Sequence, residues 1–452
     1  MNHEMRTALV PAFLLLCLLL GGASAAGIWA NLFLQLLGLL LILWSLVVAR
    51  QTSIATPSRQ LIALLLLLLA AVAIQLIPLP PSIWPRLGGR EEIVAGYRLL
   101  GQPLPWLPIS LAPHKTLASA FWLIPAIAVL LGIAKLGGYR STWLAWMLIT
   151  VALVSVAIGA LQVSDPGWYF YQITNYGAAT GFFSNANHQA TMLIATVPFL
   201  AALHLSARKG QSAQRSSGLV VVLAGILMVV LVGLALNGSL AGIGLAIPVA
   251  AASVAMLWAA RRPLPLWAVF IALLITAASL YIPFSAPMSN NLTTAEAKTS
   301  QFSRYTSFGL TIDAAKEKLP LGSGVGTFLD VYRTKEDPAV VESTYVNHAH
   351  SDYLELLLET GLVGAAVLLV FLLWWLSRFA AIWRADKPDH FARAASIASA
   401  AILAHSLVDY PLRTAAVSAL FAMCCALMAE PRPRARRGEQ PHPEGRARHL
   451  SA

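Results

Sequence analysis

About twelve stretches of this chain are apolar over the roughly 20 residues that a helix needs to cross a bilayer. They fall near 7–22, 27–49, 60–77, 116–136, 143–163, 187–206, 218–236, 239–259, 265–283, 362–380, 393–410 and 412–429. In hydrocarbon every backbone polar group must be paired internally, which leaves a chain of long uniform runs with helices. Composition agrees: 58% of the 452 residues are hydrophobic and 11% are charged, against about 25% charged in a soluble domain. A soluble enzyme, a nucleic-acid module and a disordered protein are thereby excluded. The reading is an all-α polytopic membrane protein with about 12 transmembrane helices and a large external loop subdomain.

The net charge of +11 follows topology. Arg50 and Arg59, Lys135 and Arg140, Arg208, Lys209 and Arg215, Arg261 and Arg262, then Arg378, Arg384, Lys387 and Arg393 all fall in alternate connections. With Arg6 and six tail arginines, that side holds 20 of the 31 basic residues. The positive-inside rule makes it the cytoplasm, with both termini inside. A cleavable leader ending near Ala23-Ser24-Ala25 is the alternative for the first run; even parity, which keeps the basic tail inside, favours retention. The expected organisation is nine spans in 1–283 with an external loop at 78–115, then an external subdomain at 284–361. Three spans in 362–429 and a disordered basic tail at 430–452, able to touch anionic membrane lipids, complete it. Cys17, Cys424 and Cys425 lie in apolar runs and read as small core residues.

Chemistry-bearing residues collect outside. The 284–361 segment, with six basic and ten acidic residues, ends in Asn347-His348-Ala349-His350-Ser351-Asp352. At helical spacing His348, Asp352, Glu355 and Glu359 share one face, and Gly361 is a natural stop before the next span. A neutral imidazole there can take a hydroxyl proton; the alternative is that both histidines only hydrogen-bond loop backbone. Two residues apart, His348 and His350 would diverge on a helix, so a zinc site needs an extended segment. Gly322-Ser323-Gly324-Val325-Gly326 is a set of turn glycines or an anion nest, with no strand before it to make a dinucleotide loop. Arg304 alone is a solvated charge. His405 and Asp409 share a helical face with Arg413 just beyond, either as a structural clamp or as functional groups. Asn187 and His188 open the 187–206 span in the same way. The aromatic 164–186 connection suits an interfacial belt as well as sugar stacking.

Three blocks resemble the O-antigen ligase and O-antigen polymerase superfamily. Gly181-Phe182-Phe183-Ser184-Asn185-Ala186-Asn187-His188 is similar to its Gly-x-Phe-x-Asn-x-Asn-His block. Arg304, then Leu321-Gly322-Ser323-Gly324-Val325-Gly326-Thr327-Phe328, then His350-Ser351, nine residues and Gly361-x-x-Gly364 resemble its external loop. His405-Ser406-Leu407-Val408-Asp409-Tyr410-Pro411-Leu412 is similar to its His-Ser-x-x-Asp-aromatic-x-Leu stretch.

The resemblance implies a glycosyltransferase with a lipid-linked donor, in a bacterial inner membrane. A glycan on undecaprenyl diphosphate would pass to a hydroxyl of a lipid or glycan acceptor, without metal, cofactor or nucleic acid. Arg304 would hold the diphosphate and His350 would be the base. Asn187, His188, Gly322, Gly324, Gly326, His348, Asp352, His405, Asp409 and Arg413 would line the substrate site. The complete loop pattern favours ligase over polymerase. Where the family has Ser-Arg-Gly or Ser-Arg-Ala, this chain reads Ser239-Leu240-Ala241. Another cation such as Arg413 then replaces that arginine, or the donor differs, or activity is lost. A transporter would need polar residues along several spans and both leaflets, and a scaffold leaves the His–Arg–Asp set unexplained.

Overall fold

The computed structural model describes residues 3–259 except 26, 49–53 and 208–212, then 274, 276–278 and 281, 304–337, and 346–430. Most of the span expected at 265–283 and the tail beyond 430 lie outside the described residues. The first half supplies α1 (His3–Leu20), α2 (Trp29–Val48), α3 (Thr56–Ile74), the short α4 (Glu91–Leu99), α5 (Pro113–Phe121) and α6 (Ile124–Ala134). Next come α7 (Ser141–Ser164), α8 (Ala186–Ala207), α9 (Ala213–Asn237) and α10 (Leu240–Ala259). The second half has α11 (Arg304–Lys318), α12 (Phe328–Arg333), α13 (Asp352–Arg384), α14 (His390–His405) and α15 (Ala415–Ala429).

The protein is mostly helical, and eight helices among the described residues are long and apolar enough to cross a membrane. One of the eight joins α5 and α6 over Pro113–Ala134. Among the described residues the expected count of twelve is not confirmed. α1, α14 and α15 are helices where spans were expected, but with 18, 16 and 15 residues they fall short of the others. The reason for α14 is local. Pro411 cannot continue a helix and keeps the residue before it out of the helical region, so the run expected to reach 410 ends at His405 and the chain turns through 406–414.

The bundle is built around α8. Its membrane-length window is 83% buried, against 22% for α2, 17% for α3 and 28% for α9, which face outward. Small residues let its neighbours come close. α14 is rich in Ala and Ser and packs along α8. Gly242 of α10 lies where a Cβ would stand 2.4 Å from that of Ala190. The three cysteines are buried in this core and form no disulfide.

The loop-rich end of the bundle carries the remaining segments. A two-residue antiparallel ribbon pairs Pro78–Leu79 with Leu107–Pro108, and Leu111 N–H donates to the Ser323 carbonyl, docking 78–112 onto the segment after α11. Gly361 interrupts the helix as expected. Its φ of 58° and ψ of −147° put a kink inside α13, where a Cβ would meet the Pro320 carbonyl. The helical segment from Asp352 therefore ends at this kink, at the loop-rich end, and a second segment running to Arg384 continues as the apolar span.

Candidate functional site

α13 starts with a cap: the Ser351 hydroxyl accepts from Leu354 N–H at 3.4 Å. The residue before it, His350, has φ +51° and is the one described non-glycine residue with positive φ. Such strain in a bulky residue persists only where the surroundings hold it. What holds it is the 406–414 turn. Asp352 N–H donates to the carbonyls of Ser406 (3.0 Å) and Asp409 (3.2 Å), while the Ser406 hydroxyl donates to Asp352 Oδ2 (2.8 Å). The two segments are thus stitched together, and His350 Nδ1 comes to 3.5 Å from Asp409 Oδ1.

Asp409 is 0% exposed, whereas 15% of the His350 side chain remains accessible. Burial alone would raise the Asp409 carboxyl, but the His350 contact and the charges of His188, His350 and His405 hold it well below the usual carboxylate range. Burial lowers His350 below an ordinary histidine, and Asp409 offsets part of that. The result is a carboxylate facing a neutral imidazole. A neutral imidazole can accept a proton, and an anion beside it stabilises the imidazolium that forms.

Asn185 begins α8, its side chain accepting from Asn187 N–H at 2.8 Å. His188, one turn in, packs edge-on against Tyr410 with ring centroids 4.9 Å apart. Asn187 Oδ1 accepts the Ser239 hydroxyl at 2.6 Å, placing the start of α10, and with it Leu240, beside this cluster. His405 Nδ1 shares a 2.8 Å hydrogen bond with the Thr191 hydroxyl. Arg304, only 1% exposed, donates from Nε to the Val408 carbonyl at 3.0 Å. His188, His350, His405, Asp409 and Arg304, scattered over more than 200 positions, so share one enclosure.

His348 takes a different partner. It precedes α13 rather than riding on it, and the loop turns its Nδ1 to 2.9 Å from Glu355 Oε1, while Ala349 N–H donates to Glu355 Oε2. His348 and His350 therefore face different carboxylates. Among the described residues no three His, Cys, Asp or Glu side chains are grouped to hold a metal ion.

Arg413 is surrounded. Its Nη1 lies 3.0 Å from Glu359 Oε2 and 3.4 Å from Glu355 Oε1, and its Nε 3.7 Å from Asp352 Oδ1. This arginine balances three acidic groups of the first turns of α13. The glycine loop stands apart from the histidines. Its amides are engaged inside the protein: Gly322 by the Lys318 carbonyl, Ser323 and Gly324 by the carbonyls of Leu358 and Glu359, Val325 by Gln75 Oε1 and Gly326 by Glu359 Oε1. Gly324 approaches so closely that a Cβ would stand 2.4 Å from the Ser110 hydroxyl. The loop is a dock for α13.

Three residues carry no role in the expectations above: Tyr410 and Asn347 beside the histidines, and Gln75 against the glycine loop. Gln75 had a signal, an amide at the end of an apolar run; Asn347 had none.

The family model for O-antigen ligase matches residues 223–369. That stretch holds Arg304, the glycine loop, His348, His350 and the start of α13; the blocks at 181–188 and 405–412 lie outside it. No curated protein matches the chain.

Proposed function

We propose, for a chain whose residues 223–369 match the family model for O-antigen ligase, a membrane glycosyltransferase with a lipid-linked donor. The family match supports a membrane enzyme of polysaccharide biosynthesis. The finer reading is transfer of a glycan from undecaprenyl diphosphate to a hydroxyl of a lipid acceptor on the periplasmic face. One observation carries it: a strained, partly accessible imidazole held against a buried carboxylate.

The acceptor oxygen attacks the anomeric carbon of the donor sugar as the bond from that carbon to the diphosphate oxygen breaks. The hydroxyl proton passes to His350, and the lipid diphosphate leaves with the bonding pair. His350 is the base, and Asp409 is its positioning and charge-balancing partner. Diphosphate is already a good leaving group, so a cation suffices at that end. Arg304 has this role once the donor opens its enclosure.

Arg304→Ala then weakens donor binding as well as turnover, by about ten- to a hundredfold, since a charge-assisted phosphate contact is worth about 1.5–3 kcal/mol. Equilibrium binding of a short-chain lipid diphosphate checks this. Unchanged binding in a less stable protein would make Arg304 a strut for the 406–409 turn. The reaction class is tested by analysing envelope glycans of a deletion strain: unattached lipid-linked chains mean ligase, single repeat units mean polymerase, and unchanged glycans remove both.

Orientation has its own test. The native cysteines are buried, so single introduced thiols report cleanly. Asp313→Cys in α11 should react with an impermeant reagent added outside intact spheroplasts, and Asp386→Cys, between α13 and α14, should not. The reverse pattern would put the histidines on the cytoplasmic side and end the periplasmic reading.

A further inference from the structure

Tyr410 touches every part of the site. Its ring lies 4.9 Å from that of His188, 4.3 Å from His348 and 5.1 Å from His350, with the first and last edge-on and His348 tilted by 34°. Its hydroxyl meets Asn185 Nδ2 at 3.3 Å and the side-chain amide of Asn347 at 3.2 and 3.3 Å. The ring is 4% exposed. One phenol therefore joins the start of α8, the loop before α13 and the turn after α14.

We infer that Tyr410 is a positioning residue for His350, its hydroxyl stapling the histidine loop to α8 while its ring fixes the planes of the imidazoles. The inference rests on His350 as the base. The reasons are geometric. The loop 346–351 has no regular secondary structure of its own, and His350 sits in a backbone region that side chains disfavour. Stitching through Ser351 and Asp352 holds the C-terminal end of this loop. Near its start, the Asn347–Tyr410 pair is the corresponding side-chain tie to another element. An edge-on aromatic contact also has a preferred angle, so a ring packed against three imidazoles limits how each can rotate. An imidazole 3.5 Å from its carboxylate loses alignment with a small rotation. Catalysis is sensitive to such misplacement when ground-state binding is not.

The test uses the full chain, purified in detergent, with single-turnover and steady-state transfer from a lipid-diphosphate donor. Tyr410→Phe keeps the ring and removes the staple. It should lower kcat about tenfold, as expected for loss of neutral hydrogen bonds, with KM for donor little changed and thermal stability close to wild type. Asn347→Ala should have a similar effect alone and add nothing in the Tyr410→Phe background, because both act through one contact. Tyr410→Leu, which also removes the ring, should lose more. Reaction of His350 with diethyl pyrocarbonate should quicken in each variant. Full kcat in Tyr410→Phe, or additive losses in the double variant, would overturn the inference. If His350→Ala is inactive in the same assay while Tyr410→Phe is fully active, only the positioning role fails. If both are active, the base assignment fails with it.

Discussion

Replacing His350 with alanine lowers turnover about 10²–10⁴-fold, the usual contribution of a general base, while donor binding stays near wild type. Ground-state affinity is retained because the imidazole engages the acceptor proton only as it transfers. The same residue sets the acid limb of the rate profile. The base must be neutral, so rate is lost as pH falls through its pKa. Burial lowers that pKa from the ordinary 6.5, with Asp409 opposing the shift and Arg304 and His348 reinforcing it. The half-maximal rate therefore lies below pH 6.5, and Asp409→Asn, which removes the opposing anion, moves it lower still. Single-turnover rates from pH 4.5 to 8 would measure both. An acid limb above 6.5, or full turnover in well-folded His350→Ala, would transfer the base role elsewhere, with His348 next in line.

Arg413→Met should damage the fold more than the chemistry. Three carboxylates of α13 lean on this one guanidinium, and the Glu355 and Glu359 side chains are 1% exposed. Breaking a buried ion pair by removing one partner costs about 3–5 kcal/mol, a large part of a total of roughly 5–15 kcal/mol. The variant should denature at a markedly lower temperature in detergent. Adding Glu355→Gln or Glu359→Gln should restore part of the loss, since an uncompensated charge is removed with the change. The contrasting result is specific: a variant of normal stability with weakened donor binding would make Arg413 the stand-in for the arginine that Leu240 replaces.

Much of this was legible in the sequence because it is local. Runs of leucine and alanine fix the helices, and Asp389, Ser351 and Thr414 mark helix starts as their residue types suggest. Proximity of the three signature blocks came from resemblance, and the structure brings Asn187, His188, His350, His405 and Asp409 to one end of the bundle. What sequence spacing misassigned or left open involved pairing across the chain. Helical periodicity put His348 on the face of α13, but the chain there is a loop folding back onto Glu355. Arg413 read as either a structural clamp or a functional group, and spacing could not decide because its three partners are more than 50 positions away. The glycine pattern read as turn glycines or an anion nest, and only the tertiary contacts reveal that Gln75, Leu358 and Glu359 take up its amides. Apolar runs also hide their own ends: Tyr410-Pro411 closes α14 five residues early, and that early end creates the turn holding Asp409.

The burial of α8 separates two tasks that one protein must perform in a living envelope. Its first turn carries Asn187 and His188, and its flanks are walled by α7, α9, α10 and α14, so side chains there are fixed by neighbours on all sides. α2 and α3 face mostly outward. Bilayers differ in thickness, and a helix adapts to them through its length, tilt and outward-facing residues. Here such adjustments fall on α2, which packs on α1 and α6, whereas α3 is tied through Gln75 to Glu359 and the glycine loop. The outward face of α2 can then vary with the bilayer while the neighbours of α8 hold the histidine enclosure.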